Sequence, residues 1–564
     1  MVAGLSPIVE LADDYWNFHR TSAHMWNIDR GDVEQIEHWE DLRPNAVASR
    51  IGHLEDFAAR AAQLSSPASS SRERALLAAV AFSARSMGSV LPYERDLSLV
   101  AGPFNVATFL AVLVPGYSLV TAEHGAGYVT KLQCLPGFID GWIEGLTEGV
   151  ASGRVATARG VAGAITAFDS MLAADPTDDP LATQTPPTEM SPAEVDHWRN
   201  DVLEAIRRSR PAIARLRAAL IDVLLPAARS DADAGICHIP GGVDAYSSLL
   251  RAATSTDMSA AAMHELGMQQ LDVLDDEYRH LGPEACDIGD PSLLRERLRT
   301  DPSLRYSTAA EIVADAMATL ARAEAEAPRW FGRVPRARCN AVAVNTGPMA
   351  FYTGPSPDGT RGGTFFYKTA DPQAWTRFQL EVTTFHEAVP GHHLQLASAQ
   401  ELDLHPVLGE LEVTSYGEGW GLYAERLADE MSLYSSPLQR IGMLTLDSLR
   451  AARLVVDTGI HAMGWTRAKA IEFLLTHTAQ ERTTAEAEID RYIAQPGQAT
   501  SYMIGRLELQ RIRRNAERHL GQEFSISDFH DVVLANGMTP LDELARTVDD
   551  WLQRVQPPDP RSGA

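Results

Sequence analysis

Apolar residues recur at spacings of three and four along most of the chain, and the residues between them are largely Ala, Arg and Glu. This spacing places the apolar side chains on one face of a helix, and these residue types favour helix formation. A clear stripe of this kind consists of Val195, Trp198, Val202 and Ile206. The pattern predicts a mainly α protein built from many helices.

One stretch interrupts the helical pattern. Residues 175–192 are rich in Pro, Thr and Asp and show no periodicity, which is typical of a loop. The loop ends in a capping box: Ser191 caps the next helix, Pro192 begins it, and Glu194 lies three residues after the cap. We expect one compact unit with the following regions: 1–174 (helical), 175–192 (loop), 193–340 (helical), 341–555 (the region of the candidate site) and 556–564 (a disordered tail).

Residues 341–369 are the one segment with a β pattern. The runs AVAVN and TFFYKT are short and β-prone, and the turn-rich sequence GPSPDGTRGG separates them. We therefore expect a small β-sheet here. Thr364–Lys368 is interpreted as an edge strand whose free side pairs with the backbone of an extended peptide.

A helix is predicted directly after this sheet. Asp371 and Pro372 are typical of a helix start. Four apolar residues at three- and four-residue steps mark its buried face: Trp375, Phe378, Val382 and Phe385. The helix is expected to run into His386, so the small sheet precedes the helix with the candidate metal ligand.

His386 and Glu387 begin a sequence similar to a zinc-binding motif. In HExxH, two histidines one helical turn apart hold the ion, and the glutamate beside the first histidine is the general base. Here the position four residues after His386 is Pro390, so the usual spacing fails. The second ligand must come from further along the chain.

His392 and His393 are the two candidates for that second ligand. A regular helix favours His393 by angle, because seven residues return to nearly the same face, but the axial separation would be roughly 10 Å instead of about 6 Å. Pro390 and Gly391 permit a break or bulge, which would bring His392 back to the position that the second ligand needs. We favour His392 and keep His393 as the alternative.

Four segments resemble the bacterial family catalogued as DUF885, which is grouped with the HExxH metallopeptidases. They are HEAVPGHHLQ, YGEGWGLYAERL, QPGQATSYMIG and FHDVVLANGMTPL, and the resemblance extends over about residues 10–555. It implies a large, multi-helix metallopeptidase-like fold and a zinc peptidase of the gluzincin type, with a glutamate as third ligand.

Glu418 and Glu425 lie seven residues apart on one face of a predicted helix. A catalytic zinc site takes three protein ligands and leaves one position open. Glycines flank Glu418 and allow its backbone to approach another helix closely, and the Glu-Gly pair resembles the one that carries the third ligand in gluzincins. We predict Glu418 as the third ligand. Glu425 is either a partner that orients a ligand histidine or a structural ion-pair residue.

A polar stripe after Pro496 is the candidate source of the remaining catalytic groups. Gln498, Tyr502 and Arg506 fall at four-residue steps on a predicted helix. With Glu387 as general base, Tyr502 is predicted to donate to the oxyanion of the tetrahedral intermediate, the alternative being a buried tyrosine. Arg506 and Gln498 are predicted to bind substrate, Arg506 through a carboxylate, unless Arg506 is merely solvated.

Composition narrows the function classes. The formal net charge is −26, which disfavours nucleic acid and anionic membranes as partners. The four cysteines stand far apart and form no CxxC pair, which suits a reducing compartment and argues against a cysteine-built metal site. The N-terminal residues lack a signal-peptide pattern, and the apolar run Val106–Val114 is half the length of a membrane span. We expect a cytoplasmic protein.

The sequence thus predicts a zinc-dependent hydrolase that cleaves the peptide bonds of short peptides in the cytosol. A carboxypeptidase or dipeptidase suits a closed helical fold, by analogy alone. The first alternative is a zinc amidohydrolase that acts on a non-peptide amide metabolite. The second is a non-catalytic protein that only holds the metal, which the presence of the predicted base Glu387 disfavours.

Overall fold

The structure is a computed structural model, and it describes residues 6–22, 36–66, 69–93, 106–356 and 361–555. These residues form a mainly helical protein with one small sheet, which confirms the predicted fold class. The predicted tail, 556–564, lies outside the described residues. The subdivision of the chain into the predicted regions stays a prediction.

The first half of the chain is helical from the first described residues onward. Its helices of eight or more residues are α1 (Pro7–Thr21), α2 (Pro44–Leu64), α3 (Ser71–Tyr93), α4 (Ala122–Ala151), α5 (Ala158–Ala173), α6 (Pro192–Ala219), α7 (Gly242–Thr254), α8 (Ala260–Cys286) and α9 (Pro291–Thr300). Helix α3 is long and apolar enough to cross a membrane by length and composition, although buried core helices meet the same criterion. It packs against α2 and α7.

The second half contains the sheet and the remaining helices. They are α10 (Ala309–Glu326), β1 (Cys339–Val344), β2 (Ala350–Thr353), β3 (Gly363–Lys368), α11 (Leu380–Glu387), α12 (His392–Gln400), α13 (Thr414–Glu430), α14 (Pro437–His461), α15 (Arg467–His477), α16 (Arg482–Ala494), α17 (Ser501–Leu520), α18 (Ile526–Leu534) and α19 (Leu541–Arg554). Short α-helical turns lie at Val106–Thr108, Leu225–Ala227 and Pro406–Gly409.

The helix starts follow the capping chemistry of the sequence. Glu194 accepts a hydrogen bond of 2.8 Å from the backbone N–H of Ser191, as the predicted capping box at the start of α6 requires. Thr308 and Glu311 form the same reciprocal box at the start of α10. Each box satisfies backbone donors that the first helical turn leaves without partners.

The sheet has the strand order β1-β3-β2, with β1 parallel and β2 antiparallel to β3. The interpretation of Thr364–Lys368 as an edge strand is therefore wrong, because β3 bonds to a strand on each side. The sequence pattern missed Ala350–Thr353, which is only four residues long. This short strand, and not β3, is the edge that lines the cleft described below.

The helix before His386 begins later than its sequence signals predict. Asp371 and Pro372 open a single 3₁₀ turn that ends at Ala374, and α11 begins only at Leu380. The four predicted apolar positions are nevertheless all buried. In the intervening segment the side chain of Trp375 donates a hydrogen bond to the carbonyl of Lys368, which holds the segment against the end of β3.

Helix α14 lies at the centre of the second half. Every residue from Ile441 to His461 except Leu446 is buried. The helix packs against α8, α11, α13, α15, α16 and α17. Apolar side chains fill most of these contacts, but Asp447, Arg450, Arg453 and Asp457 are buried in the same helix. Buried charges need partners, so this helix is a place to look for functional groups.

Helices α13 and α17 approach each other unusually closely at two glycines. A Cβ atom on Gly419 would lie 2.5 Å from the Cα atom of Gly505, and one on Gly505 would lie 1.9 Å from the carbonyl oxygen of Ser415. Only residues without a side chain permit this approach. The contact sets the position of Glu418, which lies next to Gly419 in α13.

Gly505→Ala is expected to destabilise the protein by about 1–3 kcal/mol or more, because the added methyl group overlaps backbone atoms of α13. The measurement is the midpoint of thermal unfolding. Gly163→Ala is the matched control, since Gly163 lies in α5 with no atom within 4 Å of the added Cβ. The control should keep or raise the midpoint, because Ala favours a helix over Gly. Equal midpoints for the two variants would contradict the close approach.

Candidate metal site and its cleft

The predicted break between the two histidine positions is a complete interruption of the helix. Helix α11 ends at Glu387 and α12 begins at His392. A Cβ atom on Gly391 would lie 1.8 Å from the carbonyl oxygen of His386, so the chain can turn back there only with glycine. The indole of Trp420 donates to the Gly391 carbonyl at 3.3 Å and gives this oxygen a partner within the break.

The break brings together the three residues predicted as ligands. Within the described part of the chain, His386, His392 and Glu418 form the group whose possible ligand atoms all lie within 4.8 Å of one another. A carboxylate oxygen of Glu418 lies 3.4 Å from Nε2 of His386 and 3.7 Å from Nε2 of His392. Ligand atoms of a tetrahedral zinc ion, with bonds of about 2.1 Å, are roughly 3.4 Å apart. The two distances from Glu418 are close to this value, and two imidazoles with one carboxylate are a donor set that suits zinc.

Glu425 holds His386 in the orientation that the cluster needs. Its Oε1 lies 2.8 Å from Nδ1 of His386, and Glu425 is fully buried. Because Nδ1 donates to this carboxylate, Nε2 is the nitrogen left for a ligand bond. Gly421 makes room for the ring, since a Cβ atom there would lie 2.6 Å from it. This contact is the one that an orienting partner would make, and Glu425 also lies 3.7 Å from Arg450, as a structural ion-pair residue would.

The carboxylates of Glu418 and Glu425 favour a positive charge on the His386 ring between them. Burial opposes protonation of His386, but the hydrogen bonds with Glu418 and Glu425 outweigh it and raise its pKa to about 10. Burial would raise the pKa of Glu418, but the hydrogen bonds from His386 and His392 hold it well below the usual value. A divalent cation would supply that positive charge in place of protons.

His393 lies outside the cluster and has its own partners. Its Nε2 donates to the carbonyl of Ala337 at 3.0 Å, so its Nδ1 carries no proton and accepts from the Tyr352 hydroxyl at 2.8 Å. Burial lowers the pKa of His393 to about 4, which keeps the ring neutral. Both ring nitrogens are occupied by contacts with the sheet region.

A cleft of about 570 Å³ opens onto the cluster. Glu387 lies on its wall next to the three candidate ligands, and burial raises the pKa of this carboxyl group. The edge strand β2 forms another part of the wall. The lining residues are Ala350, Phe351, Tyr352, Thr383, His386, Glu387, His392, Leu396, Gly409, Glu410, Leu411, Glu412, Gly417, Glu418, Leu446, Arg450, Arg453, Tyr502 and Met538.

Tyr502 is the one member of the predicted polar stripe on this cleft. Burial raises its pKa to about 12, with a further contribution from the nearby charge of Glu418. Among the described residues, no protein group accepts a hydrogen bond from its hydroxyl. The first predicted turn of its helix is a 3₁₀ turn, Gln498–Thr500, and α17 follows from Ser501.

Arg506 and Gln498, the predicted substrate-binding residues, point elsewhere. Nη1 of Arg506 lies 2.8 Å from both carboxylate oxygens of Asp447. Gln498 accepts a hydrogen bond of 2.9 Å from Arg491. Neither residue is among those that line the cleft. Their positions give the predicted contact with substrate no geometric support.

Sequence reasoning missed Arg450 and Arg453, which line the cleft from α14. The signal was present as two arginines in the otherwise apolar run LRAARLVV, where a buried helix has no packing reason for them. His530 packs in the core, where its ring stacks on Phe331 and its Nε2 accepts a hydrogen bond of 2.9 Å from the Tyr423 hydroxyl.

Fold and site together define a mainly helical protein with a His-His-Glu cluster beside a cleft. The sequence profile of the family "Bacterial protein of unknown function (DUF885)" matches residues 25–548, and the chain belongs to this family. This match confirms the predicted resemblance to the DUF885 family. No curated protein matches the chain in sequence.

Two solved structures share the fold. "The putative lipoprotein from Colwellia psychrerythraea" is 24% identical, with a TM-score of 0.86, and the match covers 98% of this chain and 100% of that one. "A putative lipoprotein of unknown function from Shewanella oneidensis" is 18% identical, with a TM-score of 0.75, and the match covers 96% of this chain and 98% of that one. At these identities the likeness establishes the fold alone.

The choice between the two adjacent histidines is testable by metal binding. His392→Ala should lose zinc at free concentrations where His393→Ala retains it, because only the first removes an atom of the cluster. Metal content after dialysis against buffered zinc measures the difference. His393→Ala is also the control for general damage near α12. Retention by His392→Ala together with loss by His393→Ala would contradict the assignment.

Proposed function

We propose that this protein is a zinc-dependent hydrolase that cleaves the peptide bonds of short peptides. The observation that carries the proposal is the convergence of His386, His392 and Glu418 within 4.8 Å, with Glu387 beside them on the wall of the same cleft. A volume of about 570 Å³ lies within the range of ~300–1,000 Å³ typical of small-ligand sites. It suits a short peptide better than a folded protein.

His386, His392 and Glu418 would hold the zinc ion. When bound, zinc lowers the pKa of water and polarises the carbonyl group of the substrate. Glu425 holds the His386 ring through the 2.8 Å contact and so preserves the geometry of the ligand atoms during turnover. These four residues therefore provide the binding and orientation on which the chemistry depends.

Glu387 is the proposed general base. It takes a proton from the attacking water molecule and then transfers it to the nitrogen of the leaving amine, so no net proton is gained or lost by the enzyme in the cycle. Its place at the end of α11, immediately after a proposed ligand, puts its carboxylate on the cleft side.

Tyr502 is the proposed donor to the oxyanion. The attack of water turns the carbonyl oxygen of the scissile bond into an anion, which needs a hydrogen-bond donor nearby. The Tyr502 hydroxyl lies on the cleft wall, and its raised pKa keeps it protonated at neutral pH. A protonated hydroxyl with no competing acceptor is suited to this role.

The decisive experiment uses zinc-loaded protein with a panel of unblocked and blocked short peptides, with and without a chelator. Release of new amino groups that stops with the chelator and returns with zinc supports the proposal. Turnover of non-peptide amides alone would replace it with an amidohydrolase. The predicted compartment of this protein is the cytoplasm. The two structural neighbours are named as lipoproteins, which suggests a non-cytoplasmic location as the alternative, and cell fractionation distinguishes the two.

Glu387→Gln should retain zinc and lose about 10²- to 10⁴-fold in turnover, because an amide cannot accept the proton of water. Metal content and steady-state kinetics measure the two effects. Glu401→Gln is the control, since Glu401 binds Arg336 outside the cleft and should keep the parent activity. Turnover within about tenfold of the parent in Glu387→Gln would remove the residue from the role of base.

Tyr502→Phe should lower the turnover number by about 10²- to 10³-fold and leave the Michaelis constant nearly unchanged, because the bond to the oxyanion forms only in the transition state. Tyr352→Phe is the comparison within the same cleft, since its hydroxyl already donates to His393. A larger loss in Tyr352→Phe than in Tyr502→Phe would assign the donor to Tyr352 instead.

A further inference from the structure

Two arginines of α14 form part of the cleft wall without a role in the proposed hydrolysis. Arg450 and Arg453 are three residues apart, which places them on the same face of the helix. They are 9% and 7% exposed, and both line the cleft that contains the His-His-Glu cluster. Two buried guanidinium groups on one wall of the cleft create a local preference for an anion.

Protein groups do not use the full hydrogen-bonding capacity of these arginines. Arg453 donates from Nε to the Tyr492 hydroxyl at 2.7 Å and from Nη2 to Glu488 at 2.9 Å, but Nη1 has no hydrogen-bond partner among the described residues. Arg450 donates from Nη1 to the carbonyl of Leu446 at 3.4 Å, and its Nη2 lies 3.7 Å from a carboxylate oxygen of Glu425. Its Nε has no hydrogen-bond partner among the described residues.

The acids near the arginines already have other partners. Glu425 binds His386, and Glu488 also pairs with Arg491 at 3.1 Å. The positive charge of this wall is therefore not fully neutralised by the protein. Buried donors without acceptors are uncommon in folded proteins, so this wall carries more positive charge than its protein partners pair.

Tyr502 connects this basic wall to the cluster. The guanidinium carbon of Arg453 lies 4.7 Å from the centroid of the Tyr502 ring, and that of Arg450 lies 5.8 Å from it. The same tyrosine is close enough to Glu418 for that charge to raise its pKa. An anion held by the arginines would thus lie beside the proposed oxyanion donor. The cleft lining also includes Glu410 and Glu412, which would repel an anion from their part of the cleft.

We propose that Arg450 and Arg453 bind the free C-terminal carboxylate of the peptide substrate, so that this protein cleaves peptides near a free C-terminus. The inference rests on the proposed function, whose substrate class it specifies. A guanidinium group donates two parallel hydrogen bonds to a carboxylate, which fixes its orientation as well as its position. The sequence predicted that Arg506 binds a substrate carboxylate, but Arg506 is bound to Asp447. We assign that role to Arg450 and Arg453 instead.

The test measures binding directly, so it does not depend on turnover. Zinc-loaded Glu387→Gln protein is titrated calorimetrically with N-acetylated tripeptides that vary at the last residue, each as the free acid and as the C-terminal amide. We expect the amides to bind about 10- to 100-fold more weakly than the acids, as for loss of a charge-assisted bidentate contact. Arg450→Gln and Arg453→Gln in the same background should remove most of this difference by weakening only the acids.

Arg440→Gln is the matched control, because Arg440 lies on the same helix, pairs with Asp429 and is not on the cleft. It should preserve the preference for the acid. If Arg453→Gln fails to retain zinc or unfolds, Arg453→Lys keeps the charge and should lose the bidentate part of the preference. Equal affinity of acids and amides, no binding of either, or an undiminished preference in both Arg450→Gln and Arg453→Gln would overturn the proposal.

Failure of this inference and failure of the proposed function give different results. If amides and acids bind and are cleaved equally well, the protein is a peptidase without C-terminal recognition. If acids bind preferentially but no peptide is cleaved, the carboxylate site stands and the hydrolase proposal falls.

Discussion

Helices α13 and α17 lie against each other with almost no separation at Gly419 and Gly505, where a single Cβ atom would come within 2.5 Å of the opposing backbone. Glu418 lies directly before Gly419, so this contact holds the helix that carries Glu418 against the helix that carries Tyr502. A carboxylate oxygen of Glu418 lies 3.4 Å from Nε2 of His386 and 3.7 Å from Nε2 of His392. A metal site tolerates displacements of its ligand atoms of only about 0.5 Å. The backbone contact therefore limits the geometry of everything in the cluster.

The second constraint is the charge buried in and around α14. Asp447 is fully buried, and its carboxylate is shared between Arg426 and Arg506. Burial would raise the pKa of Asp447, but the two arginines more than compensate and lower it. Removing either arginine would leave a buried charge incompletely paired, which typically costs several kcal/mol. Arg506 is thus bound within the scaffold and does not line the cleft.

Local patterns in the sequence were sufficient for the helical class, the small sheet before α11 and the break after Glu387. Helical periodicity and the turn properties of Pro390 and Gly391 depend on near neighbours only, so a single sequence contains the information. The short strand Ala350–Thr353 and the central position of β3 depend on pairing with distant segments. Such pairing is a tertiary property, and no local pattern contains it.

The dependence on tertiary contacts also separates the predicted polar residues. The three predicted ligands lie together, whereas Gln498 and Arg506 do not line the cleft. The ligand positions are constrained by chemistry, since zinc needs a small number of particular side chains at close range. An arginine has no such requirement, and its sequence position does not tell whether it faces a cleft or an aspartate. The even spacing of Gln498, Tyr502 and Arg506 predicted a common face, but Gln498 lies in a separate 3₁₀ turn, Gln498–Thr500, before α17 begins. Arg506 does share a face of α17 with Tyr502, and there it binds Asp447.

The adjacent histidines at the start of α12 illustrate how the sheet and the cluster depend on each other. Neighbouring residues on a helix point about 100° apart, so only one of the pair can face Glu418. The other must satisfy its ring nitrogens elsewhere, and His393 does so with Ala337 before β1 and with Tyr352 on β2. These two bonds tie α12 to the sheet and fix the rotation of the helix about its axis. His392 is therefore held towards Glu418 by the contacts of its neighbour as well as by its own.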